Sequence, residues 1–115
     1  MSRPRFTIIE FPVFCHYIVH VEVTPDFKKS LAQYPQTRDV DPDPDATGLT
    51  VHVENETLSF VFIHANCPVS TIAHESWHVV ERMLGYVGVD LDSETVAYHL
   101  GFLVDKVFKF VRKRK

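Results

Sequence analysis

The chain has 115 residues, of which 45% are hydrophobic and 23% charged. That composition suits one ordinary globular domain spanning 1–115, and it excludes both a second core and disorder throughout. Its formal net charge is −3; no stretch reaches the eighteen or so apolar residues of a membrane span, and residues 1–5 carry charge with no apolar signal core behind them, so a cytoplasmic protein without membrane or nucleic-acid partners is expected.

In chain order, 6–10 reads as a short strand, parted by Pro12 from a longer one at 13–23 because proline cannot donate to a ladder. In the longer strand Val13, Cys15, Tyr17, Val19, Val21 and Val23 alternate with Phe14, His16, Ile18, His20 and Glu22, the signature of a half-buried strand. Cys15 and Cys67 are read as buried thiols rather than a disulfide, and neither has the CxxC spacing of a thiolate zinc site.

Thr24 before Pro25 predicts an N-cap with proline at the first helical position, opening a short helix to about residue 34. Residues 35–48, rich in Pro and Asp, form an acidic surface loop. Asp41, Asp43 and Asp45 have calcium-loop spacing, but Ala46 replaces the required glycine and His52 the bidentate glutamate, which argues against an EF-hand.

A hairpin follows: Leu49, Val51 and Val53 alternate with Thr50, His52 and Glu54, and Asn55 with Glu56 turns the chain into a strand at 57–63. His16, His20 and His52 share one predicted sheet face, where scattered histidines are usually exposed or hydrogen-bonded rather than a second metal site. Ser70 is the expected N-cap of a helix running to about Leu84 and stopped by Gly85 and Gly88. A last helix is expected from Asp92 or Ser93 to Arg112. Six of the twelve basic residues, Lys106, Lys109, Arg112, Lys113, Arg114 and Lys115, fall at its end, where they complement the macrodipole; 112–115 is a basic tail.

The first of these two helices contains His74, Glu75, Ser76, Trp77 and His78, an HExxH string. Residues four apart on a helix lie one above the other, so the two imidazoles address one point with Glu75 beside them. At about 100° per residue, His78, Glu75, Glu81, Thr71 and Arg82 fall on the His74 side, while Ile72, Val79, Met83, Val80, Ala73, Leu84 and Trp77 fill the opposite arc. On the last helix Glu94 shares a face with Ala97, Tyr98, Gly101, Asp105 and Phe108. The small residues Ala97 and Gly101 on that face would let another backbone come close.

An HExxH helix, a glycine-containing turn and a helix bearing Glu94 resemble the gluzincin metallopeptidases over residues 70–105. In size the chain is most similar to minimal single-domain members, the minigluzincin type, and to small metallopeptidases encoded by phage genomes. The resemblance implies one Zn2+ held by His74, His78 and Glu94, a water activated by that zinc, and Glu75 as general base. Asp90 and Asp92 compete with Glu94 as the third ligand.

Tyr98 stands where the larger members carry an aspartate that orients a ligand histidine, so that role falls to Asp105, Glu81 or a backbone carbonyl. The large members' second lobe, which supplies an oxyanion-stabilising histidine, has no counterpart here. Tyr98 leads the replacements, ahead of His99 and His64.

The expected fold is therefore α+β, a small twisted, mostly antiparallel sheet of about three to four strands packed on an HExxH helix and a C-terminal glutamate helix. The expected function is zinc-dependent hydrolysis of a protein or peptide by a monomer or weak homo-oligomer, in the host cytoplasm if phage-encoded. The strand before the HExxH helix, 57–63, resembles the arrangement in which an edge strand binds extended peptide; if it is an edge, the substrate is polypeptide rather than a small amide. The alternatives are a zinc-stabilised binding module, such as a phage factor docking on a host protein, and a metal-free amphipathic helix whose histidines are polar surface.

Overall fold

Runs of β-branched and aromatic residues alternating with period two produce strands, and two long amphipathic stretches with capping signals produce the helices that cover them. The computed structural model describes residues 4–14 and 16–113. In chain order these form β1 (Arg5–Glu10), β2 (Ile18–Val23), α1 (Phe27–Leu31), β3 (Gly48–His52), β4 (Leu58–Ile63), α2 (Val69–Val87) and α3 (Ser93–Arg112). The fold is α+β. The described residues form a four-stranded sheet of order β1-β2-β4-β3, with β1–β2 and β3–β4 antiparallel and β2–β4 parallel. β4 is therefore an inner strand, and the edge beside α2 is β3, not the strand that immediately precedes the helix.

Register sorts the side chains between two layers. Ile9, Val19, Val21, Val23, Val61 and Ile63 point to one face, where Ile72, Val79, Val80, Met83 and Leu84 of α2 and Leu103, Val107 and Val111 of α3 close the main core. The other face carries Phe60 and Phe62, covered by Phe27 and Leu31 of α1 with Tyr34 and Val40 packed alongside. β2 is consequently buried on both sides rather than half-buried: His20 and Glu22 are 8% and 2% exposed. The Tyr34 hydroxyl donates to Glu22 Oε1 at 2.6 Å, and burial, reinforced by that carboxylate, raises the Tyr34 pKa.

Several boundaries move for local reasons. β2 begins at Ile18 because Tyr17 N–H turns back to Phe14 O at 2.8 Å, ending the extended run. α1 is capped by Asp26, which accepts from Lys29 N–H, not by Thr24. α2 passes through Gly85 and stops at Gly88, whose φ of 76° gives the left-handed cap that glycine adopts without strain. Asn55, with φ 64°, turns the β3–β4 hairpin, while Asp92 caps α3 by accepting from Thr95 N–H at 2.9 Å.

The two long helices form an antiparallel pair. Arg112 near the end of α3 donates to Ala65 O at 3.1 Å and Cys67 O at 2.7 Å, just ahead of α2. Arg5 of β1 donates to Phe110 O at 2.8 Å and Val111 O at 3.0 Å, satisfying carbonyls that the end of a helix leaves without partners. Cys67 is a buried thiol, whereas the expectations for Cys15, Arg114 and Lys115 lie outside the described residues. No helix among the described residues is long and apolar enough to cross a membrane.

Candidate metal centre

The HExxH string lies in the first half of α2. His74 and His78 bring their Nε2 atoms to 3.1 Å, with the rings edge to face at a centroid distance of 4.6 Å. Two ligand nitrogens about 2.0–2.1 Å from one tetrahedral ion stand roughly 3.3 Å apart. The pair thus converges at nearly the separation of two zinc ligands.

Glu75 is placed by β3. Because strand side chains alternate, Gly48, Thr50 and His52 share the face turned to α2. Thr50 Oγ1 donates to Glu75 Oε1 at 2.6 Å, which holds a carboxylate only 7% exposed. One residue pair further back, Gly48 allows the close approach. A Cβ built there would lie 2.6 Å from Thr71 Cγ2 and 3.0 Å from Glu75 Cγ. At the other end of the strand Arg82 donates to Val53 O at 3.3 Å, so α2 and β3 run side by side in the same direction.

An open cleft of about 420 Å³ lies where the helix and edge strand meet, lined by Asp45, Ala46, Thr47, Gly48, Ser70, Thr71, His74 and Glu75. Two of these residues, Thr47 and Thr71, form an exposed hydroxyl pair at 2.8 Å. The acidic loop therefore contributes Asp45 to the rim.

His52 sits at the far end of this contact. Its Nδ1 is 2.9 Å from Ser59 Oγ, and Ser59 Oγ is 2.7 Å from the Tyr17 hydroxyl. Burial lowers the His52 pKa, and the neighbouring Arg82 and His78 push the same way, opposed by Glu81. Burial raises that of Tyr17, opposed by its contacts with Ser59 and Arg82. His20 lies on the opposite face from His52: His20 and Val51 are both in register with Phe60, whereas His52 is in register with Ser59. The strand histidines therefore do not share one sheet face.

The structure brings His74, Glu75 and His78 together but does not bring Glu94 to them. α2 continues from His78 to Val87, about 13 Å at 1.5 Å per residue, whereas Glu94 is only the second residue of the returning helix. Among the described residues no three His, Cys, Asp or Glu side chains gather as a metal-holding group. The face of α3 that packs inward carries His99, Leu103, Val107 and Val111. Glu94, Ala97, Tyr98, Gly101 and Asp105 are all exposed, so the small residues do not admit α2.

Tyr98 is 53% exposed and packs edge-on against His99 at 4.9 Å. His99 Nδ1–H donates to Thr95 O at 2.9 Å, and the ring stacks on Phe14 at 5.0 Å. His64 lies 2.8 Å from Thr24 O and stacks on Phe27. Asp105 pairs with Lys109 at 3.1 Å. Asp90 is exposed, and Asp92 serves as the cap.

Three residues of this constellation escape the motif: Gly48, Thr50 and Ser59. The period-two pattern of 48–53 was the available signal for the first two. Comparison with family models, with curated proteins and with solved structures finds no match to this chain.

Proposed function

We propose that the chain is a zinc-dependent peptide hydrolase whose centre is built on α2 and the edge strand β3. The observation that carries this reading is the convergence of the His74 and His78 Nε2 atoms at 3.1 Å beside a buried carboxylate fixed by Thr50. When bound, zinc would polarise a carbonyl and make a water easier to deprotonate. His74 and His78 would be two of its ligands. Glu94, the third ligand that the resemblance implies, stands apart from them on the first turn of α3.

Glu75 takes the proton of the attacking water and returns it to the leaving amine, with Thr50 holding Oε1 so that one oxygen stays oriented. The unpaired edge of β3 borders the same cleft, and an extended polypeptide adding its backbone there would pass Glu75. A flexible protein segment suits this better than a small amide.

Zinc-reconstituted wild type and Glu75→Gln test the proposal on unfolded casein. Glu75→Gln is expected to keep one zinc per chain and lose hydrolysis, because glutamine cannot accept the proton. Unchanged hydrolysis refutes the mechanism. Glu94→Ala is expected to weaken zinc binding.

The outward placement of Glu94 and Tyr98 favours a second reading, a zinc-stabilised binding module without turnover. That reading predicts one zinc per chain and no cleavage by wild type.

A further inference from the structure

We propose that β1 is a self-association edge. Two copies of the chain pair antiparallel through it about a two-fold axis, with Phe6 of each copy opposite Ile8 of the other, joining their sheets into one.

β1 ends the sheet on the side away from the cleft. Its residues pair with β2 in unbroken register from Arg5 to Glu10, so no bulge bends the strand out of use. Just past the strand Phe11 N–H donates to Tyr17 O at 3.4 Å, and an antiparallel ladder alternates from there. Ile9, Thr7 and Arg5 therefore direct their N–H and C=O groups at β2, while Phe6, Ile8 and Glu10 direct theirs outward. Those outward groups have no hydrogen-bond partner among the described residues.

The side chains on this edge are also uncovered. Phe6 and Ile8 are 58% and 52% exposed, against 7% for Ile9, which points into the core. Phe6 lays one ring face on His20 at a centroid distance of 4.9 Å. Natural sheets blunt an open edge with lysine, an interior proline, a bulge or a covering segment. β1 uses none of these: its one cation, Arg5, is drawn off to the carbonyls of Phe110 and Val111, and α1 builds its layer over Phe60 and Phe62 instead.

The occupant is a second copy because the edge complements itself. In the register centred on Thr7, Phe6 meets Ile8 and Ile8 meets Phe6, so each exposed apolar side chain gains an aromatic–aliphatic partner on one face of the sheet. The same residues form the hydrogen-bonded pairs that the outward groups require. Glu10 then falls opposite Pro4, which has no N–H to leave unpaired and whose carbonyl accepts from Glu10 N–H.

Charge selects the same orientation. Glu10 is exposed at one end of the strand, and at the other Arg5 donates to Lys113 O at 3.4 Å. Antiparallel pairing brings the acidic end of each strand to the basic end of the other, whereas parallel pairing sets like ends together. A register centred on Ile8 would instead place the Glu10 carboxylate against the Phe6 ring. The two-fold pairing closes at two copies and leaves both clefts on the outer edges; β1 against β3 of a neighbour would grow without end.

Sedimentation equilibrium from about 1 μM to about 1 mM tests this. Wild type should pass from monomer to dimer and stop there. A monomer throughout, or growth beyond two copies, overturns the proposal. Amide exchange locates the contact: with rising concentration the N–H groups of Phe6, Ile8 and Glu10 should gain protection while those of Thr7 and Ile9 stay as they are. A dimer without that alternation overturns the assignment to β1, and this measurement needs no variant.

Phe6→Glu and Ile8→Lys alter exposed side chains, so each should keep the circular dichroism spectrum of the monomer and weaken self-association about tenfold or more. Mixed in equal amounts, the two variants should form a heterodimer. The introduced carboxylate of one then faces the introduced ammonium of the other, and Ile8 of the first faces Phe6 of the second. Variants that associate as tightly as wild type overturn the proposal, and weakened variants that fail to rescue each other overturn the register on which it stands.

Discussion

Gly48→Ala should damage the protein although it adds one methyl group to a half-buried strand. The new Cβ would stand 2.6 Å from Thr71 Cγ2, 3.0 Å from Glu75 Cγ and 3.3 Å from Glu75 Oε2, against about 3.5–4.0 Å for relaxed carbon contacts. Neither neighbour yields freely. The Thr71 hydroxyl is tied to Thr47 at 2.8 Å, so rotating its methyl away breaks that bond, and Glu75 is tied to Thr50 at 2.6 Å.

Overpacking of this kind costs about 1–3 kcal/mol, and two constrained neighbours place the expected loss near 2–3 kcal/mol. Urea unfolding would read it directly. A thermal melt should fall by about 8–12 °C, at roughly 4 °C per kcal/mol. Thr71→Ser deletes the methyl group and keeps the hydroxyl, so the double variant should regain more than 1 kcal/mol of about 2–3 lost, a coupling that a double-mutant cycle isolates. Gly101→Ala is the control: its Cβ meets nothing within 4 Å, and alanine in an exposed helix interior should stabilise by about 0.5–1 kcal/mol. A Gly48→Ala loss below about 0.5 kcal/mol, or no coupling to Thr71, would refute the close helix–strand approach on which the site geometry depends.

Arg112→Ala should cost about 1–2 kcal/mol in urea unfolding, because two carbonyls lose a charged donor, and amide exchange at residues 65–70 should accelerate relative to the rest of α2. Stability should also decline with acid through His52. Its folded pKa lies below the ordinary value of 6.5, so the unfolded chain takes up this proton first. The contribution is fully present above pH 6.5 and is lost as the pH falls through the lower folded value. His52→Asn should flatten the stability profile in that window, and an unchanged slope would show that another group is responsible.

Where one force dominates, the residues announce the structure. The alternation from Tyr17 to Val23 names the inner face of β2, the HExxH helix sorts polar from apolar, and Asp92 caps α3 as its side-chain chemistry dictates. Burial of His20 and Glu22 was not legible, because Phe27, Leu31, Tyr34 and Val40, which cover or flank that face, are scattered through a polar stretch without regular period. α3 has apolar residues on two sides. Tyr98 and Phe108 compete with Leu103 and Val107, and the face that packs inward includes a histidine, His99, that simple polarity sends outward. The end of α2 was misplaced because Gly85 costs a helix only about 1 kcal/mol, less than tertiary packing returns. Those three further residues of helix carry the turn away from His78, which separates Glu94 from the pair.

The parallel pairing of β2 with β4 has a kinetic consequence. β1–β2 and β3–β4 are local hairpins, each closing a short loop, whereas the seam between them joins Ile18 to Leu58 and closes a far longer one at higher entropic cost. The chain is thus two hairpin halves that dock along one line. His52, Ser59, Glu75 and both α2 histidines belong to the C-terminal half, and Tyr17 reaches Ser59 from the other. The Tyr17–Ser59 contact is consequently a reporter of docking: in a refolding experiment its phenol signal should reach its native value with the slow closure of the seam, after the helix signal of α2 has developed.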